Sequence, residues 1–412
     1  MLINSERLWS SLMEMAEIGK IPGGGCRRLS LSPEDGAGRD LFFRWCCEAG
    51  CRLEVDAFGN IFAIRAGTAE PDRLVMTGSH LDTQPIGGRF DGIYGVLAGL
   101  EVIRTMNDLE LETDFSVAVV NWTNEEGARF SAAQTGSKGF AGQISRDEAY
   151  RLRAADGTSF GEALAQIDYA GHGGIRADQL VCYVEAHIEQ GPVLEASAKT
   201  IGVVESTQAA RWYHVAVSGE ARHAGTTPAG RRRDAFMAAS SFAVEARRRV
   251  LAMDSNIHFT IGRVELGTNA PNTVPGQVDF TIDLRFPDEQ ILDRAEAALR
   301  EVLPDVDRKE GTHSCLQVTH LVPAVRFDAG LTSDIEMLAG GEGMRLSSGA
   351  MHDACAIAAV APTAMIFVPS RDGISHHQDE WLEPRDAAIG ADLLFKVIES
   401  KARSFLSPRS AK

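Results

Sequence analysis

Four short apolar runs constrain the fold of this chain more than anything else in it: Leu74–Met76, Ser116–Trp122, Val181–Ala186 and Ala364–Val368. Each is nearly uninterrupted and bounded by turn residues, as in parallel strands buried on both faces of a sheet. Helical patterns separate them. Ile93–Met106, after the first run, carries Gly95 and Gly99, which allow close packing on a sheet. Strand, crossover helix and parallel strand is the connection this order predicts. The expected fold is therefore α/β, with a mainly parallel mixed sheet flanked by helices.

The texture changes between Trp212 and Arg326. WYHVAVSG alternates as a half-exposed strand does, and RRRDAFMAASSFAVEARRRVLAM is an amphipathic helix. HFTIGRVELG and QVDFTIDLRF read as strands, EQILDRAEAALREVL as a second helix and CLQVTHLVPAV as a last strand. The order β-α-β-β-α-β is that of the split βαβ, or ferredoxin-like, unit. It precedes the last apolar run, so it reads as an insertion. Residues 1–209 and 327–412 are expected to form one discontinuous domain and residues 210–326 another, which suits a chain of 412 residues. The tail SPRSAK is the only soft end expected.

A formal charge of -16 excludes a nucleic-acid-binding or anionic-membrane surface, and no segment is apolar enough to span a bilayer. The N-terminus carries Glu6, Arg7, Glu14 and Glu17 and lacks the apolar core of a signal peptide. Seven cysteines without framework spacing suit a reducing cytoplasm. Cys46, Cys47 and Cys51 fall in a helical pattern and read as buried apolar residues.

Each apolar run leads to candidate metal ligands. The first opens into GSHLDTQPIGGRFDG with His80, Asp82 and Asp91; the second into NEEGARF with Glu125 and Glu126; the third into EAHIEQGP with His187; the fourth into DGISHHQDE with His376. Any one of these segments is an ordinary solvated loop. Four of them at the carboxyl ends of parallel strands share the sheet edge where α/β proteins bind ligands. Two or three imidazoles and several carboxylates suit two divalent ions with one bridging carboxylate. Asp82 could orient His80 by accepting its other N–H. Glu125 and Glu126 are adjacent and cannot point the same way on an extended segment. One can hold metal while the other faces the substrate as a proton carrier.

GSHLDT with FDG, NEEGARF, EAHIEQGP, ARHAGTTP, NTVPG and DGISHHQDE together resemble the amidase, hydantoinase and carbamoylase family, from about Met1 to Pro384 and in the same order. The resemblance implies a zinc-exopeptidase type of fold with an inserted lid and dimerisation domain, and hence a homodimer. It implies His80 and His187 on one metal, Glu126 and His376 on the other, Asp91 between them and Glu125 as general base. His376 is preferred to His377 because Glu380 follows it by four residues, as in the family pattern. The peptidase relatives carry an acidic residue where His187 stands, which implies the carbamoylase branch.

The resemblance further implies that Arg285 and Asn272 bind the substrate carboxylate, that His223 polarises the scissile carbonyl and that Gln190 meets the ureido group. Gly349 and Ala350, in SSGAMHDA, would belong to the substrate-binding set, and if that loop lines the side-chain pocket Met351 narrows it. Met351 stands where the family usually has glycine, and Ala229 where it usually has methionine. The implied activity is hydrolysis of the ureido C–N bond of an N-carbamoyl-L-amino acid, with two ions of Zn, Mn, Co or Ni. Allantoate and β-ureidopropionate are the rival substrates. A dipeptidase, or a binding protein without catalysis, fits the motifs less well.

Overall fold

In the computed structural model, which describes residues 1–403, all four apolar runs lie in one eight-stranded mixed sheet. Its strands are β1 (Arg52–Val55), β2 (Ile61–Arg65), β3 (Glu70–His80), β4 (Phe115–Trp122), β5 (Leu180–Ile188), β6 (Ile201–Thr207), β7 (Gly343–Ser348) and β8 (Thr363–Val368). The spatial order is β1-β2-β4-β3-β5-β8-β6-β7. The central four, β4, β3, β5 and β8, run parallel, while β2 and β6 close on them antiparallel. These four are the predicted apolar runs, and every residue of β4 and β8 is buried.

Alternate side chains of these strands serve different faces. Val75, Val117, Val119, Val184, Ile366 and Val368 join one apolar core with the helices Ile93–Asp108 and Pro384–Lys401. Polar and charged groups are buried among the same strands: Ser79 Oγ donates to Glu185 Oε1 at 2.7 Å, and the Tyr183 hydroxyl lies 2.9 Å from the Gly78 carbonyl.

The chain divides into two compact units, Met1–Glu205 with Arg326–Lys412, and Ser206–Val325. The second has its own core, with Tyr213, Phe242, Phe280, Leu292 and Leu299 at its centre. Its elements are the strand Ala209–Ser218, the helix Ala235–Leu251, the short strands His258–Thr260 and Val264–Leu266, the strand Gln277–Phe286, the helix Glu289–Glu310 and the strand His313–Val322. HFTIGRVELG, expected as one strand, is broken after Thr260, and both pieces pair with Gln277–Phe286. The break falls at Gly262 and Arg263, where the Arg263 carbonyl still accepts from the Thr281 N–H at 3.1 Å.

Two further differences concern the first unit. The hairpin β1–β2 was absent from the sequence reading. Cys47, expected in the core, is exposed near the end of the helix Pro33–Glu48, whereas Cys46 is buried. The tail SPRSAK lies outside the described residues. Among those residues no helix is long and apolar enough to cross a membrane.

Candidate metal centre

Strand ends set the first two imidazoles. His80 is the last residue of β3, opposite Trp122, and His187 lies near the end of β5, opposite Phe367. They belong to the strands themselves rather than to the loops beyond, and both are buried. Gly92 makes room for them. Its φ is 73°, and a Cβ there would lie 2.3 Å from the His80 ring, so glycine is required on both counts.

Asp91 brings the centre together. Its Oδ1 is 3.2 Å from His187 Nε2 and 4.0 Å from His80 Nε2, while its Oδ2 is 3.2 Å from His376 Nε2. His376 Nε2 is also 3.4 Å from Glu126 Oε2. Two groups of ligand atoms result, His80–Asp91–His187 and Asp91–Glu126–His376, each with all its atoms within 4.8 Å of one another. Asp91 is common to both and presents a different oxygen to each. This donor set, mixed imidazole and carboxylate with one carboxylate shared, fits a pair of divalent transition-metal ions.

A left-handed residue leads into the two glutamates. Asn124 adopts a left-handed backbone, φ 57°, and its amide donates to the Phe130 and Ala132 carbonyls at 3.1 Å and to Thr135 Oγ1 at 2.9 Å. Glu125 then reaches His80, 3.6 Å from its Nε2, while Glu126 turns to His376 and accepts from Gln84 Nε2 at 2.7 Å. Gln190 and His376 are likewise left-handed, at φ 58° and 54°. Strained non-glycine backbone of this kind gathers where side chains must be aimed.

Asp82 supports the site differently from expectation. His80 Nδ1 contacts the Asp82 backbone carbonyl at 2.9 Å, and the side-chain oxygen is 3.9 Å away. The carboxylate is occupied elsewhere, accepting from the backbone N–H groups of Glu125 and Glu126. The strand geometry at His80 leaves its ring over the carbonyl, so the main chain fixes the tautomer.

Charge in the centre follows from burial and from Asp91. Burial lowers the His80 imidazole to about 4, leaving it neutral. For His187 burial also acts downward, but the hydrogen bond and charge of Asp91 outweigh it and carry the ring up to about 9. His376 is raised to about 9 chiefly by its hydrogen bond to Asp91. Burial pushes Glu126 up to about 8, with Asp91 adding to it, and holds Glu125 well above the usual carboxylate range, with Asp353 and Glu126 adding to it. So many acids at close range are a strong demand for cations.

Gln190 Nε2 donates to Asp91 Oδ2 at 2.9 Å, and Ser375 Oγ does so at 3.0 Å. Glu380 accepts from the Phe90 and Asp91 N–H groups, at 2.9 and 3.1 Å. Ala350 lines the cleft over the ligands, whereas Gly349 is exposed and does not. His223, Asn272 and Arg285 belong to the second unit. There Thr273 pairs with His223, the Asn272 carbonyl accepts from the Ala224 N–H, and His223 Nδ1 accepts from the Gly225 and Thr226 N–H groups. That leaves His223 Nε2 as the protonated nitrogen. Arg285 pairs with Asp283 at 2.9 Å.

The sequence reading missed a buried polar layer beside the centre. Glu185 accepts from Ser79 and from the Ala354 N–H, both at 2.7 Å, and the His352 ring stands edge-on to His187 with centroids 4.6 Å apart. The signal was present in SSGAMHDA, where His352 and Asp353 follow the methionine that drew attention.

Residues 76–400 match the model of peptidase family M20/M25/M40. The chain belongs to this family. This M20/M25/M40 protein is 42% identical over 400 residues to an N-carbamoyl-L-amino-acid amidohydrolase of Rhizobium meliloti, covering 96% of each chain. It is 30% identical over 393 residues to an allantoate amidohydrolase of Bacillus subtilis, covering 93% of this chain and 95% of that one. Among solved structures, a hydantoinase/carbamoylase family amidase from Burkholderia multivorans matches with a TM-score of 0.92 and 44% identity, over 98% of each chain. The kinship expected from the motifs holds.

Proposed function

We propose that this protein is a metal-dependent amidohydrolase that cleaves the ureido C–N bond of N-carbamoyl-L-amino acids, releasing the amino acid, carbon dioxide and ammonia. The observation that carries the reading is Asp91, whose two oxygens face two separate His and carboxylate groups. In this reading His80 and His187 hold one divalent ion, Glu126 and His376 the other, and Asp91 both. The chemistry such ions supply when bound is Lewis acidity, which polarises a carbonyl and acidifies water.

Glu125 takes the proton of the attacking water and returns it to the leaving nitrogen. It is suited to both steps, because burial holds its carboxyl well above the usual carboxylate range, which strengthens it as a base. Gln190 offers its amide to the ureido group. From the second unit, His223 contributes the Nε2–H as donor to the developing oxyanion, and Arg285 with Asn272 takes the substrate carboxylate. Arg285 exchanges Asp283 for that carboxylate. The same reading makes the second unit the lid and dimerisation module, and places the enzyme in the cytoplasm as a homodimer.

The test is a panel of N-carbamoyl-α-amino acids, N-carbamoyl-β-alanine and allantoate, assayed with Mn, Zn and Co. The highest kcat/KM is expected for an N-carbamoyl-α-amino acid. A clear preference for allantoate would move the protein to the other activity named among its relatives, and cleavage of dipeptides alone would overturn the proposal.

A further inference from the structure

The cleft over the ligands has a volume of about 180 Å³, and seven of its twelve lining residues, His80, Asp91, Glu125, Glu126, His187, Gln190 and His376, are already assigned to metal, base or ureido contacts. Three lining residues are apolar: Ala133, Ala350 and Met351. They form the apolar wall of the cleft, and the proposed reaction gives them no role.

Met351 stands out among them. It is 40% exposed although the residues before and after it are held in place. Ser348, buried, accepts from the Ala350 N–H at 3.1 Å and has its hydroxyl 2.8 Å from His352 Nε2. Gln134 Nε2 donates to the His352 carbonyl, and the His352 ring is wedged between His187 and Phe367. The backbone is therefore fixed on both sides, while the side chain between them is an unbranched thioether on the cleft wall. Such a side chain repacks readily around apolar groups of differing shape. Exposed apolar surface in a cleft gains free energy when another apolar group covers it.

Resting on the reading above, we propose that Met351, with Ala133 and Ala350, is the subsite for the α-substituent of the ureido acid, and that it selects linear or γ-branched aliphatic side chains. N-Carbamoylglycine and N-carbamoyl-β-alanine have nothing to place there. Allantoate would place a second polar ureido group against the thioether and lose its hydrogen bonds to water without replacement.

The test is kcat/KM along the series N-carbamoylglycine, -L-alanine, -L-norvaline and -L-norleucine, with allantoate alongside, for the metal-loaded wild type and for Met351→Gly, Met351→Gln and Met351→Leu. A rise of roughly fourfold per methylene is expected for the wild type, the value of a buried CH2. Met351→Gly and Met351→Gln should flatten the rise to under about twofold per methylene on the same scale, and Met351→Leu should restore it. Each ratio is internal to one protein preparation, so partial loss of folded enzyme cancels. An unchanged slope in Met351→Gly and Met351→Gln would overturn the subsite while leaving the reaction intact. Failure of the wild type on every ureido acid would overturn the reaction and the subsite together.

Discussion

The two carboxylate oxygens of Asp82 accept hydrogen bonds from the main chain of adjacent residues, Oδ1 from the Glu125 N–H at 3.2 Å and Oδ2 from the Glu126 N–H at 3.3 Å. One buried side chain thus fixes the proposed base and a proposed ligand at once, and its own carbonyl meets the His80 ring. Asp82→Asn keeps the shape but turns an amide NH2 toward one of the two N–H groups. Metal affinity should fall about 10- to 100-fold, the usual cost of losing such support, with the fold retained. Metal titration followed by circular dichroism checks both halves, and wild-type affinity in the variant would remove Asp82 from the site's support.

Glu125→Gln separates chemistry from binding. Glu125 belongs to neither ligand group, so the variant should load metal as the wild type does. Turnover should drop by roughly 10²- to 10⁴-fold, the contribution of a positioned general base. The check is kcat measured beside metal content on the same preparation; a kcat within tenfold of wild type would assign the proton transfer to another group.

Loading the centre should release protons at pH 7. With the site empty, His187 and His376 titrate near 9 and are charged at neutrality, Glu126 near 8 retains its proton, and His80 near 4 is already neutral. Ligation requires the deprotonated forms, so affinity should climb as pH rises from 7 to 9, level off above that and fall on acidification. Calorimetry in buffers of different ionisation heat should give more than one proton released at pH 7 and fewer at pH 9.5. Equal release at the two values would contradict the assigned charge states.

Stability hinges on a second buried pair. Arg39 and Asp35 are almost fully buried, with Nε 2.8 Å from Oδ2, and Arg39 also donates to the Gly59 carbonyl at 2.6 Å. Arg39→Met leaves the Asp35 carboxylate without its cation. A loss of about 3–5 kcal/mol is expected, read from the urea midpoint at pH 7. A shift equivalent to less than about 1 kcal/mol would mean that solvent reaches Asp35.

The part of the centre that could be read from sequence is the part governed by strand periodicity. Each of β3, β4, β5 and β8 announces itself by continuous apolar character and then delivers a His or acid, so His80, Glu125, Glu126, His187 and His376 were visible as a set. Other features depend on contacts between residues far apart in the chain. Glu185 meets Ser79 and Ala354 across separations of 106 and 169 positions, and nothing local marks it. Asp82 was misread because side chain and carbonyl compete for the same imidazole, and only the turn after β3 decides between them. The β1–β2 hairpin escaped notice because Arg52–Val55 is only four residues long, half-buried, and lacks the apolar run that betrayed the central strands. His223, Asn272 and Arg285 were reached through kinship alone, since their signals are those of any exposed loop or sheet edge.

β8 sits between β5 and β6 in the sheet, although it follows them in sequence by more than a hundred residues. During synthesis the slot between those two strands stays vacant until the chain has passed Thr363, and His376 emerges only after that. An abortive product ending anywhere earlier lacks the ring that Asp91 Oδ2 and Glu126 face. The second candidate ligand group therefore cannot assemble until the last strand of the sheet has been made and threaded between two strands already in place.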